Sequence, residues 1–136
     1  MKVHIGQEFI NPVTGERAVI RIPPSEENKQ TLIVDLFVQP GGAVAGEHIH
    51  PSLAEAFTVL RGKVGMRLDG QGLIAPLNKR IFVPVGVVHD WWNAGDEEAH
   101  VQVEVMPGDR FLEMASNLFG LAKDGKTNKK GMPNLL

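Results

Sequence analysis

Short apolar runs alternate with turn-forming residues along most of the chain. Valine, isoleucine, leucine and phenylalanine dominate each run, and glycine, proline or asparagine stands between one run and the next. Runs of this length bounded by such turns are typical of an antiparallel sandwich or barrel. The pattern predicts strands at 17–22, 31–39, around EHIH (47–50), 55–62, 63–70, 72–77, 80–84, 87–93 and 99–107.

After residue 108 the apolar spacing becomes helical. In DRFLEMASNLFGLAKDG the large side chains recur at intervals of three and four, and Asp109 stands where a helix N-cap is expected. We therefore expect a β-barrel domain over 1–108 and a C-terminal helix with a polar tail over 109–136. The apolar stripe of that helix either covers an open end of the barrel or joins a subunit interface. The sequence ends in the apolar residues of PNLL, and we expect that it was cut from a longer chain.

Composition narrows the functional classes. The chain has 136 residues, enough for one domain of ~100–200 residues. Its formal charge of -2 provides no broad cationic surface, so nucleic acid is not an expected partner. There are no cysteines, and any metal must bind nitrogen and oxygen. No run has the length of a signal peptide core or a membrane span, and we expect a cytoplasmic protein without membrane contact.

Three metal-competent side chains lie close together in the middle of the sequence. His48 and His50 are one residue apart, so in a strand they point to the same side. In EAFTVLRG the same alternation places Glu55 with Phe57 and Val59, where it is the only charge on an apolar face. A carboxylate there is costly unless a cation or hydrogen-bond donors meet it. A divalent metal held together with the two histidines would meet that need.

A third histidine follows the turn in PVGVVHDWWN. His89, Trp91 and Asn93 share one face of the strand. If that strand lies beside the first histidine strand, His89 completes a site of three imidazoles and one carboxylate. Such a set suits manganese, iron, cobalt, nickel or zinc and leaves room for water or substrate.

These residues carry a family resemblance. Gly42, His48, His50, Glu55 and Gly62 follow the spacing GxxxxxHxHxxxxExxxxxxG. The second pattern, PxGxxHxxxN, is formed by Pro84, Gly86, His89 and Asn93. Both resemble the motifs of the cupin superfamily. One glycine that usually opens the second motif is replaced by Asn78, a residue that tolerates positive φ.

The resemblance implies an all-β fold, a double-stranded β-helix (jelly-roll barrel), and a homodimer. It also implies one divalent metal ion per chain, held by His48, His50, Glu55 and His89. Family members include dioxygenases, isomerases, decarboxylases, cyclases and proteins that only bind a ligand, so the fold does not settle the reaction.

We expect a dioxygenase-like oxidoreductase acting on a small organic substrate. The apolar surroundings and the lack of a spare acid or base favour oxygen chemistry. A non-catalytic binding or sensing cupin, or a metal-assisted isomerase, cyclase or lyase, are the alternatives. Candidate pocket walls are Phe57, Met66 and Trp91, and core packing is the competing interpretation for these residues. Asn93 is expected to fix a turn, and His100 to face outward or a subunit contact.

Overall fold

A computed structural model describes residues 3–42 and 52–109 of the chain. The elements within these residues are all strands. They are β1 (Glu8–Ile10), β2 (Arg17–Ile22), β3 (Leu32–Val38), β4 (Ala54–Arg61), β5 (Val64–Leu68), β6 (Gln71–Ile74), β7 (Arg80–Val83), β8 (His89–Asn93) and β9 (Ala99–Met106). Among the described residues no helix is long and apolar enough to cross a membrane.

The strands form two antiparallel sheets. The large sheet has the order β1-β2-β3-β9-β4-β7, and the small sheet has the order β6-β5-β8. Side-chain alternation gives each strand one inward face, most clearly in β9, where every second residue is buried. The inward faces of both sheets contribute to one hydrophobic cluster. This is the all-β barrel that the pattern of short apolar runs predicts.

Cross-strand pairing arranges the inward side chains in rows and defines two ends of the barrel. Glu55 pairs with Val83 on β7 and with Val105 on β9, and Val105 pairs with Leu32 on β3. We call this end of the barrel the Glu55 end. At the opposite end of the same sheet Val38 pairs with Ala99.

The small sheet has the same two ends. His89 on β8 pairs with Leu68, and Asn93 pairs with Val64. His89 contacts Glu55, whereas the Asn93 side chain donates a hydrogen bond to the carbonyl of Val38. The two ends of β8 therefore belong to opposite ends of the barrel.

The adjacent tryptophans face opposite ways, as expected for a regular strand. Trp91 is buried in the core with 4% of its surface exposed. Trp92 lies on the outer face, where its indole covers Gly65 so closely that a Cβ atom there would come within 2.5 Å of a ring carbon. Glycine at position 65 thus makes room for the ring on the neighbouring strand.

The predicted strands agree with the structure wherever it describes them. β1 was not predicted, because in Glu8–Ile10 only Phe9 packs against the core and three residues show no clear alternation. Asn78 has φ = 62°, so it adopts the left-handed conformation for which the motif usually has glycine. The predicted strand around 47–50 and residues 110–136 of the predicted helix and tail lie outside the described residues.

Candidate metal centre

Glu55 is placed inside the barrel by the alternation of β4. Its neighbours in the row, Val83 and Val105, are apolar and almost completely buried, and Glu55 itself is 4% exposed. On the described strands of the large sheet it is the only charged residue that faces inward. A carboxylate in this position requires a nearby positive charge or hydrogen-bond donors to offset the loss of hydration.

His89 is positioned by the turn that precedes β8. Gly86 has φ = 82°, and the amide of Val87 donates to the carbonyl of Pro84 (3.4 Å). The chain then places the Val87 carbonyl 2.8 Å from Nδ1 of His89, while Nε2 lies 3.1 Å from Oε1 of Glu55. The imidazole is 2% exposed. One ring nitrogen is therefore held by the backbone and the other faces the carboxylate.

The hydrogen-bond partners determine the state of this ring. A carbonyl only accepts, so Nδ1 of His89 carries a proton and donates it to Val87. In the neutral ring Nε2 then presents a lone pair to the Glu55 oxygen, and two electron pairs at 3.1 Å repel. A positive charge at this contact, either a proton or a metal ion, removes that repulsion.

The pKa of His89 reflects the same competition. Burial lowers this pKa. The hydrogen bonds to Glu55 and to the Val87 carbonyl, together with the negative charges of Glu55 and Asp90, raise it by more than burial lowers it. The result is a pKa above the ordinary value of 6.5. The surroundings of this imidazole thus favour a bound cation.

The two described members of the predicted ligand set fit a metal ion. Neutral imidazole nitrogen and carboxylate oxygen are ligands for divalent transition metals, and a backbone hydrogen bond to the other ring nitrogen is a common support for a metal-bound histidine. His48 and His50 lie outside the described residues. Within 3–42 and 52–109 no group of three or more histidine and acidic side chains is close enough to hold a metal. The four-residue site therefore stays a prediction.

The three candidate pocket residues are all buried in the core. Phe57, Met66 and Trp91 are 3%, 1% and 4% exposed and belong to the core cluster. The Phe57 ring centre lies 6.2 Å from that of His89 and 6.1 Å from that of Trp91. The structure thus shows the core packing of these side chains, and their contact with a substrate stays a prediction.

Asn93 has the structural role expected from the sequence. Its amide nitrogen donates to the carbonyls of Val38 (2.9 Å) and Glu97 (2.8 Å), and its side-chain oxygen accepts from the amide of Gly95 (2.8 Å). These bonds join the β8–β9 turn to the end of β3. Asn93 is 3% exposed, and its hydrogen bonds explain why a polar residue is tolerated there.

Two buried acids were not recognised in the sequence. Asp35 lies on the outer face of the large sheet but is 4% exposed, because Arg21 pairs with it and His100 lies 3.2 Å from it. His100 is outward-facing, as expected, and stacks on Phe37. Glu16 precedes β2, is 7% exposed, and has a pKa raised to about 7 by burial. Glu16 lies two residues before Ala18 and four before Ile20, which face inward, and this alternation is the sequence feature that indicates its burial.

Comparison with known proteins identifies relatives that share most of the barrel. The Cupin_2 model, described as a cupin domain, matches residues 35–113. The polyketide synthase CurC of Streptomyces cyaneus is 30% identical over 70 residues, which are 52% of this chain and 45% of that protein. The chain thus spans less than half the length of this relative.

Two solved structures illustrate the shared fold. A sugar phosphate isomerase of the cupin superfamily from Silicibacter pomeroyi superposes with a TM-score of 0.61 at 17% identity, over 74% of this chain and 70% of that one. A predicted oxalate decarboxylase from Thermotoga maritima gives a TM-score of 0.58 at 19% identity, over 78% of this chain and 98% of that one. At these identities the likeness concerns the fold alone.

Proposed function

Because the chain belongs to the Cupin_2 domain family, we propose that it is a metal-dependent cupin protein, a dioxygenase-like oxidoreductase that acts on a small organic substrate. The metal would be held by His48, His50, Glu55 and His89. When bound, such an ion supplies Lewis-acid or redox chemistry at the Glu55 end of the barrel. The proposal depends on a single contact, that between His89 and Glu55.

That contact supports a metal because of how the imidazole is held. The Val87 carbonyl keeps the proton of His89 on Nδ1, so Nε2 is available as a ligand on the side that faces Glu55. The ring is buried and cannot turn without breaking the 2.8 Å hydrogen bond to Val87. The ligand atom is thus oriented before a metal arrives, which lowers the ordering that binding requires.

The remaining inward side chains limit the kind of reaction. Among the inward-facing residues of the nine described strands, Glu55 and His89 are the only titratable groups. If both bind the metal, the described wall has no separate general acid or base for the proton transfers of an isomerase. Phe57, Met66 and Trp91 are buried in the core cluster, and the Phe57 ring lies near that of His89, so apolar side chains adjoin the pair. Oxygen chemistry needs fewer proton-transfer groups and is favoured for that reason.

Metal analysis of the purified protein tests the proposal first. We expect about one iron, manganese, nickel or cobalt ion per chain. His89→Ala should lose most of it, whereas the matched control His100→Ala, on the outer face of the large sheet, should keep it. If His89→Ala retains the full metal content, the assignment of the site is wrong.

Oxygen uptake tests the reaction class on the same preparation. The metal-loaded protein should consume oxygen with catechol-like, flavonol-like or diketone compounds, and His89→Ala should not. A protein that contains only zinc and consumes no oxygen with these compounds would contradict an oxidoreductase. It would favour a binding protein or a redox-neutral enzyme on the same barrel.

A further inference from the structure

Three half-buried apolar side chains border the two described ligand candidates. Leu53 stands two residues before Glu55, Val87 stands two residues before His89, and Leu68 pairs with His89 across the small sheet. All three pack against the hydrophobic core while keeping part of their surface exposed. We call them the rim. A ligand that reaches His89 from solvent at this end would meet these aliphatic groups.

The described inner wall offers no lysine or arginine to a ligand. The inward-facing residues of the nine described strands include no lysine and no arginine. The arginines of these strands face outward and pair with acidic side chains there, for example Arg80 with Glu104 and Arg21 with Asp35. Within the described residues an anionic ligand would therefore find no lysine or arginine inside the barrel.

The turns at the Glu55 end add negative charge. The β2–β3 turn precedes Leu32, whose partner Val105 also pairs with Glu55, and the β5–β6 turn follows Leu68. These two turns and the short segment after β9 together carry four exposed carboxylates and one exposed lysine. They are Glu26, Glu27, Asp69, Asp109 and Lys29.

From the apolar rim, the inner wall without lysine or arginine and the acidic turns we infer that the site takes an uncharged, largely apolar organic ligand with an oxygen donor, and rejects phosphate esters. The inference rests on the proposed function, because it concerns the ligand of that same site. One divalent ion beside the Glu55 carboxylate leaves a single net positive charge, which a phosphate dianion exceeds. Without a further cation the second charge is buried unpaired, which is costly.

The contrast with a structural neighbour makes the inference specific. The isomerase from Silicibacter pomeroyi shares the fold and is described as acting on a sugar phosphate. A site for such a substrate needs charged or amide donors for the phosphate oxygens. Among the described residues of this chain, the side chains of the core cluster that line the barrel are aliphatic, aromatic or methionine.

A pair of probes that share one aryl group and differ in the phosphate ester tests this directly. 4-Methylphenol and 4-methylphenyl phosphate are titrated into the isotopically labelled protein, which is first loaded with diamagnetic zinc so that amide signals near the site stay visible, and its metal content is measured on the same sample. Dissociation constants come from amide shifts, and shifts at Leu68 and Val87 report binding at the rim. We expect 4-methylphenol to bind at least about tenfold more tightly, because an unpaired buried charge costs more than the free energy of a tenfold change.

A matched pair of variants adds the missing charge. Leu68→Arg places a guanidinium at the rim, and Ile74→Arg places one on the outer face of the same small sheet, where Ile74 is 53% exposed. We expect Leu68→Arg to tighten the phosphate ester by about tenfold, since a guanidinium binds phosphate oxygens in pairs. Ile74→Arg should leave both constants unchanged.

Each outcome separates this inference from the proposed function. Equal or tighter binding of the phosphate ester by the wild-type protein overturns the inference, and so does the absence of 4-methylphenol binding up to its solubility limit. Either result leaves the metal assignment intact if metal is present and His89-dependent. Conversely, a preference for 4-methylphenol at the rim in a protein without metal supports the ligand class and overturns the metal centre. The wild-type comparison needs no variant to fold.

Discussion

Replacement of Glu16 by glutamine should remove the part of the pH dependence of stability that arises from the burial of this carboxyl group. Glu16 stands directly before β2 and is 7% exposed, and its main-chain atoms bond within the β1–β2 turn, the carbonyl accepting from Asn11 and the amide donating to Thr14. Burial raises the pKa of its carboxyl from 4.5 to about 7. Desolvation is the cause, so the folded protein favours the neutral, protonated acid.

The size of the effect follows from the two pKa values. A difference of 2.5 between 4.5 and about 7, at about 1.36 kcal/mol per unit, corresponds to about 3.4 kcal/mol. Between these values the folded chain holds a proton that the unfolded chain has released, so stability falls as the pH rises. Relative to low pH, where Glu16 is protonated in both states, linkage lowers the free energy of unfolding by about 0.8 kcal/mol at pH 5 and about 3.3 kcal/mol at pH 8. The change between these conditions is therefore about 2.5 kcal/mol.

Urea unfolding at pH 5 and pH 8, followed by the fluorescence of the buried Trp91, measures this change. Glu16→Gln keeps the shape of the side chain and removes the titration. Between pH 5 and pH 8 the variant should become more stable relative to the wild type by about 2.5 kcal/mol of unfolding free energy. Contributions from other titrating groups, including His89, cancel in this difference. Glu27→Gln, at an exposed carboxylate of the β2–β3 turn, serves as the control.

A difference between Glu16→Gln and wild type that stays constant from pH 5 to pH 8 would refute the reasoning. It would mean that the carboxyl is hydrated or paired in the folded protein, and that its burial does not control its titration. A shift of the same size in Glu27→Gln would show that general charge reduction, and not the buried site, is responsible.

Further predictions concern the metal and the packing. Because the pKa of His89 is raised above 6.5, protons should compete with the metal for this imidazole already above pH 6.5, and metal affinity should fall steadily as the pH is lowered. Metal titrations at several pH values measure this, and an affinity that does not change with pH would contradict the ligand role. Asn93→Ala should lower the unfolding free energy by about 2–4 kcal/mol in urea, since two carbonyls lose their donor; a loss under about 0.5 kcal/mol would contradict this. Gly65→Ala should cost about 1–3 kcal/mol against the Trp92 ring, whereas Gly72→Ala, with no atom within 4 Å, should be nearly neutral; equal costs would exclude the clash.

Strands could be predicted wherever one face repeats over several residues. β9 alternates buried and half-buried positions over its whole length, and the sequence shows the same valine spacing. β1 has a single inward residue, Phe9, so its pairing with β2 could not be inferred from a repeat. Length and repetition, more than composition, separate these two cases.

The site residues could be predicted for a different reason. Alternation grouped Glu55 with Phe57 and Val59, and His89 with Trp91 and Asn93, and in the structure both residues are buried on inward faces. That they meet, across 34 residues of sequence, depends on the packing of one sheet on the other. Local periodicity contains no information about that packing, and the contact was expected only through the resemblance to a known motif pair.

Burial of Asp35 shows what the pattern could not supply. By alternation it faces outward, where an aspartate is ordinarily exposed. It is buried because Arg21 on the preceding strand pairs with it, while His100 and Gln102 on β9 come close to it. Such a cluster depends on strand order and register, and neither can be read from one strand alone.

The two ends of β8 show why the Glu55 end, and not the other, is the candidate metal site. At Asn93 the buried polar groups are matched by backbone donors and acceptors, so the fold alone balances that end. At His89 the backbone accepts one proton and the second nitrogen faces a carboxylate, an arrangement that a proton or a metal ion would balance. Hydrogen bonds completed within the fold stabilise the structure, whereas a contact that favours an added cation is a candidate binding site. The same strand thus has a structural residue at one end and a candidate metal ligand at the other.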